Sequence, residues 1–288
     1  RGCIRGCRFC QAGYVYRPVR NRSRDLCADY CVRSCDDTGY QEVTLSSLST
    51  SDYPPLTDLC DELEPFCDAR HVSLSLPSLR ADNFSMDLMQ RLQKGRKAGL
   101  TFAPEAGTQR LRDAINKNVT EEDLTESLRT AFSGGWNAVK LYFMLGLPTE
   151  TDEDVVGIAN MANHALHTWR ESAVNKSRGV RITVSTSWFV PKPFTAFQWE
   201  AQIPREEYER RVRLLRESIT AKAVTYNWHD GDTSFLEAVL ARGDRRLSRV
   251  LELAWRKGAR LDAWSDYFDL NRWLEAFAEC GLDPAFYA

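Results

Sequence analysis

Residues 137–154 read NAVKLYFMLGLPTETDED, and this stretch shows how the whole chain is built. An apolar run ends at Gly146, and Thr151 stands three positions before Asp154. That spacing is typical of a helix N-terminus, because each of the two side chains can accept a hydrogen bond from the other residue's backbone N–H group. The stretch therefore predicts a strand followed directly by a helix.

The same strand-then-helix unit recurs from residue 40 onward. Apolar, strand-like runs alternate with amphipathic helical segments, which is the pattern of repeated βα units around a parallel sheet. The runs are QEVTLSSLS (41–49), HVSLSLPSL (71–79), LTFAPE (100–105), NAVKLYFMLG (137–146), VRITVSTSWFV (180–190) and AVTYNW (223–228). Beyond about residue 230, helical segments follow one another without strands, so we expect a helical extension there.

Composition argues for a globular protein of one large domain or two modest ones. The chain has 288 residues, of which 43% are hydrophobic and 27% are charged. No apolar stretch approaches the roughly 20 residues that cross a bilayer, so we expect no membrane partner and a cytoplasmic location. A formal net charge of -2 gives no overall attraction for nucleic acid, although a local basic groove leaves nucleic acid open as a partner.

The residues best suited to chemistry are Cys3, Cys7 and Cys10, within RGCIRGCRFCQAG (1–13). Glycines in this segment let it fold around a small object. Three thiolates can hold three irons of a cubane cluster and leave the fourth iron open to a substrate. A zinc-binding interaction module is the alternative, since cysteines two residues apart also suit zinc, but structural zinc takes four ligands and no nearby pair completes the set.

This cysteine triplet, with Phe9 directly before its last member, resembles the defining motif of the radical S-adenosylmethionine (radical SAM) superfamily. The resemblance implies a 4Fe-4S cluster on Cys3, Cys7 and Cys10 whose open iron binds S-adenosylmethionine. Phe9 would lie against the adenine. It also implies reductive cleavage of S-adenosylmethionine to a 5'-deoxyadenosyl radical, with an electron donor such as flavodoxin or ferredoxin as partner.

Polar residues follow the first two predicted strands, and ligands of open sheets and barrels lie at the carboxyl ends of strands. The resemblance assigns Ser47 and Ser49 to the amino group of S-adenosylmethionine, although the family's Gly-Gly-Glu pattern is absent. Arg80, in SLPSLRAD, would reach the carboxylate of the cofactor or form a surface salt bridge.

Two later strand ends carry more specific resemblances. TFAPEAGTQRLRDAINKNVTEEDL (101–124) is similar to the segment after the fourth strand in a large branch of the family, where Glu105 and Gly107 would contact S-adenosylmethionine. A carboxylate can accept hydrogen bonds from ribose hydroxyls or from an ammonium group. Gly146 is similar to the glycine that lets the backbone approach the adenine.

The whole chain resembles the core of uncharacterised radical SAM proteins whose longer forms carry a cobalamin-binding-like region. That resemblance implies an α/β fold, a partial (βα)6 TIM-like barrel that lacks its first strand. Residues 1–202 would supply the cluster loop and five strands, and residues 203–288 a mostly helical extension. Cobalamin, bound through a region upstream of Arg1, is an implied further cofactor. The substrate is unidentified, and the alternative within enzymes is a methyl- or methylthio-transferase acting on RNA or protein.

Cys27, Cys31 and Cys35 look like a second triplet, but their spacing predicts one face of a helix. At about 1.5 Å per residue the outer two would stand about 12 Å apart, too far to share one cluster. We therefore interpret them as small buried side chains.

Overall fold

The computed structural model describes residues 1–76 and 100–288 of the chain. Within these ranges every strand pairs in parallel with its neighbour, and the strands form one pair and one four-stranded sheet in chain order. The pair consists of β1 (Glu42–Thr44) and β2 (Ser73–Ser75). The sheet consists of β3 (Leu100–Glu105), β4 (Ala138–Leu145), β5 (Arg181–Trp188) and β6 (Val224–Trp228).

Helices connect the strands and then follow one another, as the sequence pattern predicts. In chain order they are α1 (Ala12–Val15), α2 (Arg24–Thr38), α3 (Leu56–Arg70), α4 (Gln109–Ala114), α5 (Glu121–Ser133), α6 (Asp152–Ser172), α7 (Arg205–Ser218), α8 (Gly231–Arg242), α9 (Leu247–Arg256) and α10 (Leu270–Glu279). The predicted α/β class with parallel, TIM-like βα units is confirmed. No helix within the described ranges is long and apolar enough to cross a membrane.

The unit at residues 137–154 forms as its sequence predicts. Val139, Leu141 and Phe143 are buried on the face of β4 that packs against helices, because side chains alternate between the two faces of a strand. Helix α6 begins at Asp152 with the predicted capping box, in which the Thr151 N–H donates to Asp154 Oδ2 at 2.8 Å. This cap starts the helix close to the carboxyl end of β4.

The first predicted strand, QEVTLSSLS, is shorter in the structure than in the prediction. β1 ends at Thr44, and a 3-10 turn follows at Thr50–Asp52. The Ser49 N–H donates to Ser47 Oγ at 3.3 Å, and such local side-chain bonds compete with the hydrogen bonds of a sheet. The prediction of a strand through Ser49 is therefore wrong, and the serines stand in a turn at the carboxyl end of β1.

The two larger apolar cores lie within residues 100–288. The larger core contains the helix-facing sides of β3, β4 and β5 with α5, α6 and α7, and β6 extends the same sheet. The smaller core is built by α8, α9 and α10 around Val239, Val250 and Phe277. The division predicted between residues 202 and 203 stays a prediction. Both α7 and β6 come after that division in the chain, yet α7 packs against the main sheet and β6 is one of its strands.

Candidate functional site

Three free thiols lie on one segment at the start of the described chain, residues 1–13, which we call the thiol loop. Cys7 is buried, and Cys3 and Cys10 are half-buried. The Cys10 N–H donates to the Cys7 carbonyl oxygen at 3.2 Å, and the Gly13 N–H donates to the Cys10 carbonyl oxygen at 3.2 Å. Two successive turns therefore carry the second and third cysteines into α1.

The thiols fit a cubane cluster by number and by chemistry. In the described part of the chain, no three His, Cys, Asp or Glu side chains are arranged to hold one metal ion. A cubane needs another arrangement, because each of its irons takes its own thiolate, and three cysteines leave one iron without a protein ligand. The role of Cys3, Cys7 and Cys10 as ligands stays a prediction.

Hydrogen bonds to distant segments hold the thiol loop in place. The Arg8 N–H donates to the Ile115 carbonyl oxygen at 3.0 Å, and Asn116 Nδ2 donates to the Gly6 carbonyl oxygen at 2.8 Å. The Phe197 N–H donates to the Arg8 carbonyl oxygen at 3.3 Å. Because α4 leads from β3 to Ile115 and Asn116, and Phe197 comes after β5, the loop is fixed between segments that leave two strands.

Phe9, the predicted adenine contact, packs against a small apolar cluster at the carboxyl ends of the strands. The cluster contains Ala106, Leu111, Ile115, Leu147 and Phe189. Three of these residues come directly after, or two positions after, the last residues of β3, β4 and β5. The thiol loop therefore covers the carboxyl edge of the sheet, where the sequence predicts a bound ligand. Contact between Phe9 and adenine stays a prediction.

A cavity of about 600 Å³ lies beside the thiol loop and brings together residues that the sequence analysis selected. Its lining includes Cys3 together with Ser47 and Ser49 from the turn after β1. Thr44 and Leu45, at the end of β1, form part of the same wall. Cys3 and the two serines thus share one space, and their contact with a cofactor stays a prediction.

Asp52 links that turn to the thiol loop and was missed by the sequence analysis. Arg5 donates from Nη2 to Asp52 Oδ1 at 2.6 Å and from Nε to Oδ2 at 3.0 Å. The Ser49 hydroxyl donates to Asp52 Oδ2 at 2.7 Å. A possible signal was the position of an aspartate at the end of a serine-rich turn, since such side chains bond to nearby turn groups.

Glu105 ends β3 in a left-handed conformation, with φ of 70°, which is uncommon for a residue other than glycine. Lys117 Nζ lies 3.1 Å from Glu105 Oε1, and the two side chains are only 11% and 17% exposed. This ion pair fixes the carboxylate at the carboxyl end of β3. Lys117 was missed. It stands between two asparagines, a residue type that favours turns, and both of them have positive φ in the structure.

Gly107 makes a close packing contact in the structure. A Cβ atom at this position would lie 2.2 Å from the Asp154 carbonyl oxygen and 2.4 Å from the Ile158 nitrogen. Gly157 faces it from α6, and a Cβ there would lie 2.8 Å from the Gly107 carbonyl oxygen. The two glycines therefore let the segment after β3 touch the backbone of α6, and the predicted contact of Gly107 with the cofactor stays a prediction.

Gly146 follows β4 with φ of 86°, a conformation that favours glycine. Its N–H donates to Glu150 Oε2 at 2.7 Å, and Arg211 donates to the same oxygen. Glu150 is almost fully buried, and this burial raises its pKa to about 7 despite the favourable partners. The sequence motif points to Gly146 but gives no signal of the Glu150–Arg211 pair that holds its backbone. The binding of adenine there stays a prediction.

The second cysteine triplet belongs to α2, and its members Cys27 and Cys31 line the same cavity as Cys3. Arg80 is outside the described residues. Cys27, Cys31 and Cys35 lie one turn apart on α2 with the last two buried, which confirms the prediction of one helix face. Burial raises the pKa of Cys31 to about 11, so this thiol stays protonated at neutral pH.

Comparison with known proteins identifies the family. Residues 1–162, more than half of the chain, match the radical SAM superfamily. Over 286 residues, 98% of the chain, the sequence is 30% identical to Uncharacterized protein MJ0966 of Methanocaldococcus jannaschii, and the chain spans 59% of the length of that relative. Streptococcus suis SuiB bound to S-adenosylmethionine shares the fold over 82% of this chain and 50% of its own, with a TM-score of 0.53 and 12% identity. The family match and the parallel βα fold agree, and the protein belongs to the radical SAM superfamily.

Proposed function

We propose that this chain is the S-adenosylmethionine-cleaving core of a radical enzyme, with a 4Fe-4S cluster held by Cys3, Cys7 and Cys10. One observation carries the proposal: three free thiols sit on a loop that covers the carboxyl ends of β3, β4 and β5. This is the edge at which parallel sheets and barrels bind their ligands. The family match adds the cluster and S-adenosylmethionine as the expected cofactors.

The bound cofactors would supply one electron from the cluster, cleavage of the sulfonium bond, and a 5'-deoxyadenosyl radical that takes a hydrogen atom from the substrate. The protein's contribution is to keep the thiols and the cofactor contacts in fixed positions. Arg8 and Asn116 hold the thiol loop against the segment after β3, and Asp52 holds Arg5 from the turn after β1.

We assign the orientation of S-adenosylmethionine to polar groups at three strand ends. Glu105 offers a carboxylate that Lys117 keeps in place, and such a group can accept hydrogen bonds from the ribose or the ammonium. The Glu150 side chain fixes the backbone at Gly146. Ser47 lines the cavity beside Cys3 and completes the set at the end of β1.

The electron donor is assigned from charge. Residues 1–24 contain seven arginines and no aspartate or glutamate, in a chain whose formal net charge is -2. Most of these arginines are exposed. A positive surface next to the thiol loop favours an acidic electron carrier, of the flavodoxin or ferredoxin kind, because complementary charge speeds the encounter of two proteins.

The test is anaerobic reconstitution followed by single-turnover assays with dithionite. Wild-type protein should bind about four irons with labile sulfide and release 5'-deoxyadenosine from S-adenosylmethionine. Cys7→Ser should lose both properties, and Cys280→Ser, which changes a half-buried thiol far from the thiol loop in sequence, should keep both.

Two results would count against the proposal. One zinc per chain without sulfide after anaerobic purification would favour the zinc-binding module. Equal iron content and equal product release in the two cysteine variants would remove the thiol loop from the chemistry. Cobalamin binding through an upstream region, and location in the cytoplasm, stay predictions.

A further inference from the structure

The sheet has a second face, opposite the helices, that carries polar side chains in register. Because side chains alternate along a strand, burial of Val139 and Leu141 against the helices turns Lys140 and Tyr142 to the other face. The same alternation places Ser185 of β5 on that face. The two faces of one sheet therefore differ in chemistry, with an apolar side against the helices and a polar side away from them.

Strand register aligns these side chains into two rows. Lys140 pairs with Thr183, which pairs with Thr225. One step further toward the carboxyl edge, Tyr142 pairs with Ser185, which pairs with Asn227. Neighbouring strands stand about 4.8 Å apart, so each row spans about 10 Å. We call these six residues the polar lane.

Lys140 carries the positive charge of the polar lane. Its ammonium nitrogen lies 4.6 Å from the centroid of the Tyr142 ring, a distance at which the ring attracts a cation. Considering residues 1–76 and 100–288, Lys140 has no carboxylate within ion-pair distance. Glu105, an acid on a neighbouring strand, is paired with Lys117. The polar lane therefore offers a cation that is held in position and open to an anion.

The polar lane leads directly to the thiol loop. Met144, two residues beyond Tyr142 on the same face of β4, packs against the apolar cluster that also contacts Phe9. Four residues of strand separate Lys140 from Met144, which is about 13 Å at about 3.3 Å per residue. A small molecule about 13 Å long is therefore enough to reach from Lys140 to the thiol loop.

We propose that the substrate is a small anionic molecule, a carboxylate or phosphate with several hydrogen-bonding groups, anchored by Lys140 in the polar lane. An apolar substrate would cover the hydroxyls of Thr183 and Thr225, which are accessible, without giving them partners, which is unfavourable. The length of the polar lane suits a metabolite rather than an extended macromolecule. This inference rests on the proposed function, and it adds the substrate class and the residue that selects it.

The experiment uses the full-length, reconstituted protein under anaerobic conditions and measures 5'-deoxyadenosine release. The probes are cell-extract fractions, separated first by size and then by anion exchange. With wild-type protein, we expect the small, anion-exchange-retained fraction to raise product release above the substrate-free level. The apparent KM is the amount of this fraction that gives half-maximal product release. Lys140→Met should raise it at least tenfold, and Lys140→Arg should stay within about threefold. Lys222→Met changes an exposed lysine and, as the control, should match wild type.

A second readout does not depend on turnover. Acetylation of lysines by an N-hydroxysuccinimide ester, followed by mass spectrometry, should show at least threefold protection of Lys140 by the stimulating fraction, and none of Lys222. Stimulation found only in the macromolecular or the neutral fraction, no stimulation by any fraction, or a normal KM in Lys140→Met would overturn the proposal. Absence of substrate-free product release in wild-type protein would instead overturn the proposed function.

Discussion

Glu150→Gln should change how the stability of the protein depends on pH. The Glu150 side chain is 1% exposed, and its burial raises the pKa of the carboxyl from 4.5 to about 7. Between those values the folded protein holds a proton that the unfolded chain has lost. The free energy of unfolding contributed by this group is therefore fully present below pH 4.5 and is lost as the pH rises through 7.

The size of the effect follows from the pKa. At pH 6, one unit below the folded value, the bound proton adds about 1 kcal/mol to the free energy of unfolding, and at pH 8 it adds close to nothing. Wild-type protein should therefore lose about 1 kcal/mol at this site between pH 6 and pH 8. Glutamine has no proton to lose and keeps an oxygen that can accept from the Gly146 N–H, so Glu150→Gln should lack this component.

Urea unfolding followed by tryptophan fluorescence, at pH 6, 7 and 8, measures the difference. Glu206→Gln is the matched control, because Glu206 is an exposed carboxylate on α7 and its replacement should leave the pH dependence as in wild type. If wild type and Glu150→Gln differ equally at pH 6 and pH 8, Glu150 is ionised throughout. The Arg211 guanidinium would then offset the whole cost of burial, and the reasoning would be wrong.

Three other changes have definite expected outcomes. Gly107→Ala should lower the free energy of unfolding by about 1–3 kcal/mol, since its Cβ would overlap the backbone of α6, whereas Gly231→Ala, whose Cβ meets only ordinary contacts, should have little effect; equal urea midpoints would contradict this. Lys117→Met should cost about 1–3 kcal/mol because it leaves the Glu105 carboxylate unpaired and mostly buried, and unchanged thermal stability would argue that the pair is unimportant. Turnover with flavodoxin or ferredoxin should fall as salt is raised, while dithionite-driven turnover should not, because salt screens the charge of residues 1–24; parallel decline of both rates would reject charge-guided docking.

Local patterns predicted the parts of the fold that local physics decides. The run LTFAPE became β3 over the same six residues, and the Thr151–Asp154 spacing became the capping box of α6. The spacing of Cys27, Cys31 and Cys35 became one face of α2. In the two helical cases, neighbours in sequence make the contacts that determine the structure, and for β3 the apolar run marks a strand whose partner, β4, lies further along the chain.

Contacts between distant residues were beyond the reach of these patterns. Arg211 meets Glu150 across 61 residues, and Arg5 meets Asp52 across 47. Motif resemblance selected Gly146 and Ser49, but the charged side chains that hold them come from segments with no visible signal of pairing. The early end of β1 has a local cause instead: the β propensity of QEVTL favours a longer strand, and the turn with its Ser49–Ser47 hydrogen bond ends it.

The anchoring of the thiol loop has a consequence for the order of events during biosynthesis. Its partners are far away in the chain: Arg8 bonds to Ala114 across 106 residues, and Gln11 bonds to Pro193 across 182. Closing such long loops costs more entropy than forming contacts between nearby segments, so we expect these bonds to form after β3, β4 and β5 have assembled. The three cysteines precede these partners in the chain, and we expect them to reach their final spacing last. If the thiol loop holds the proposed cluster, the cluster would be inserted into a sheet that has already assembled.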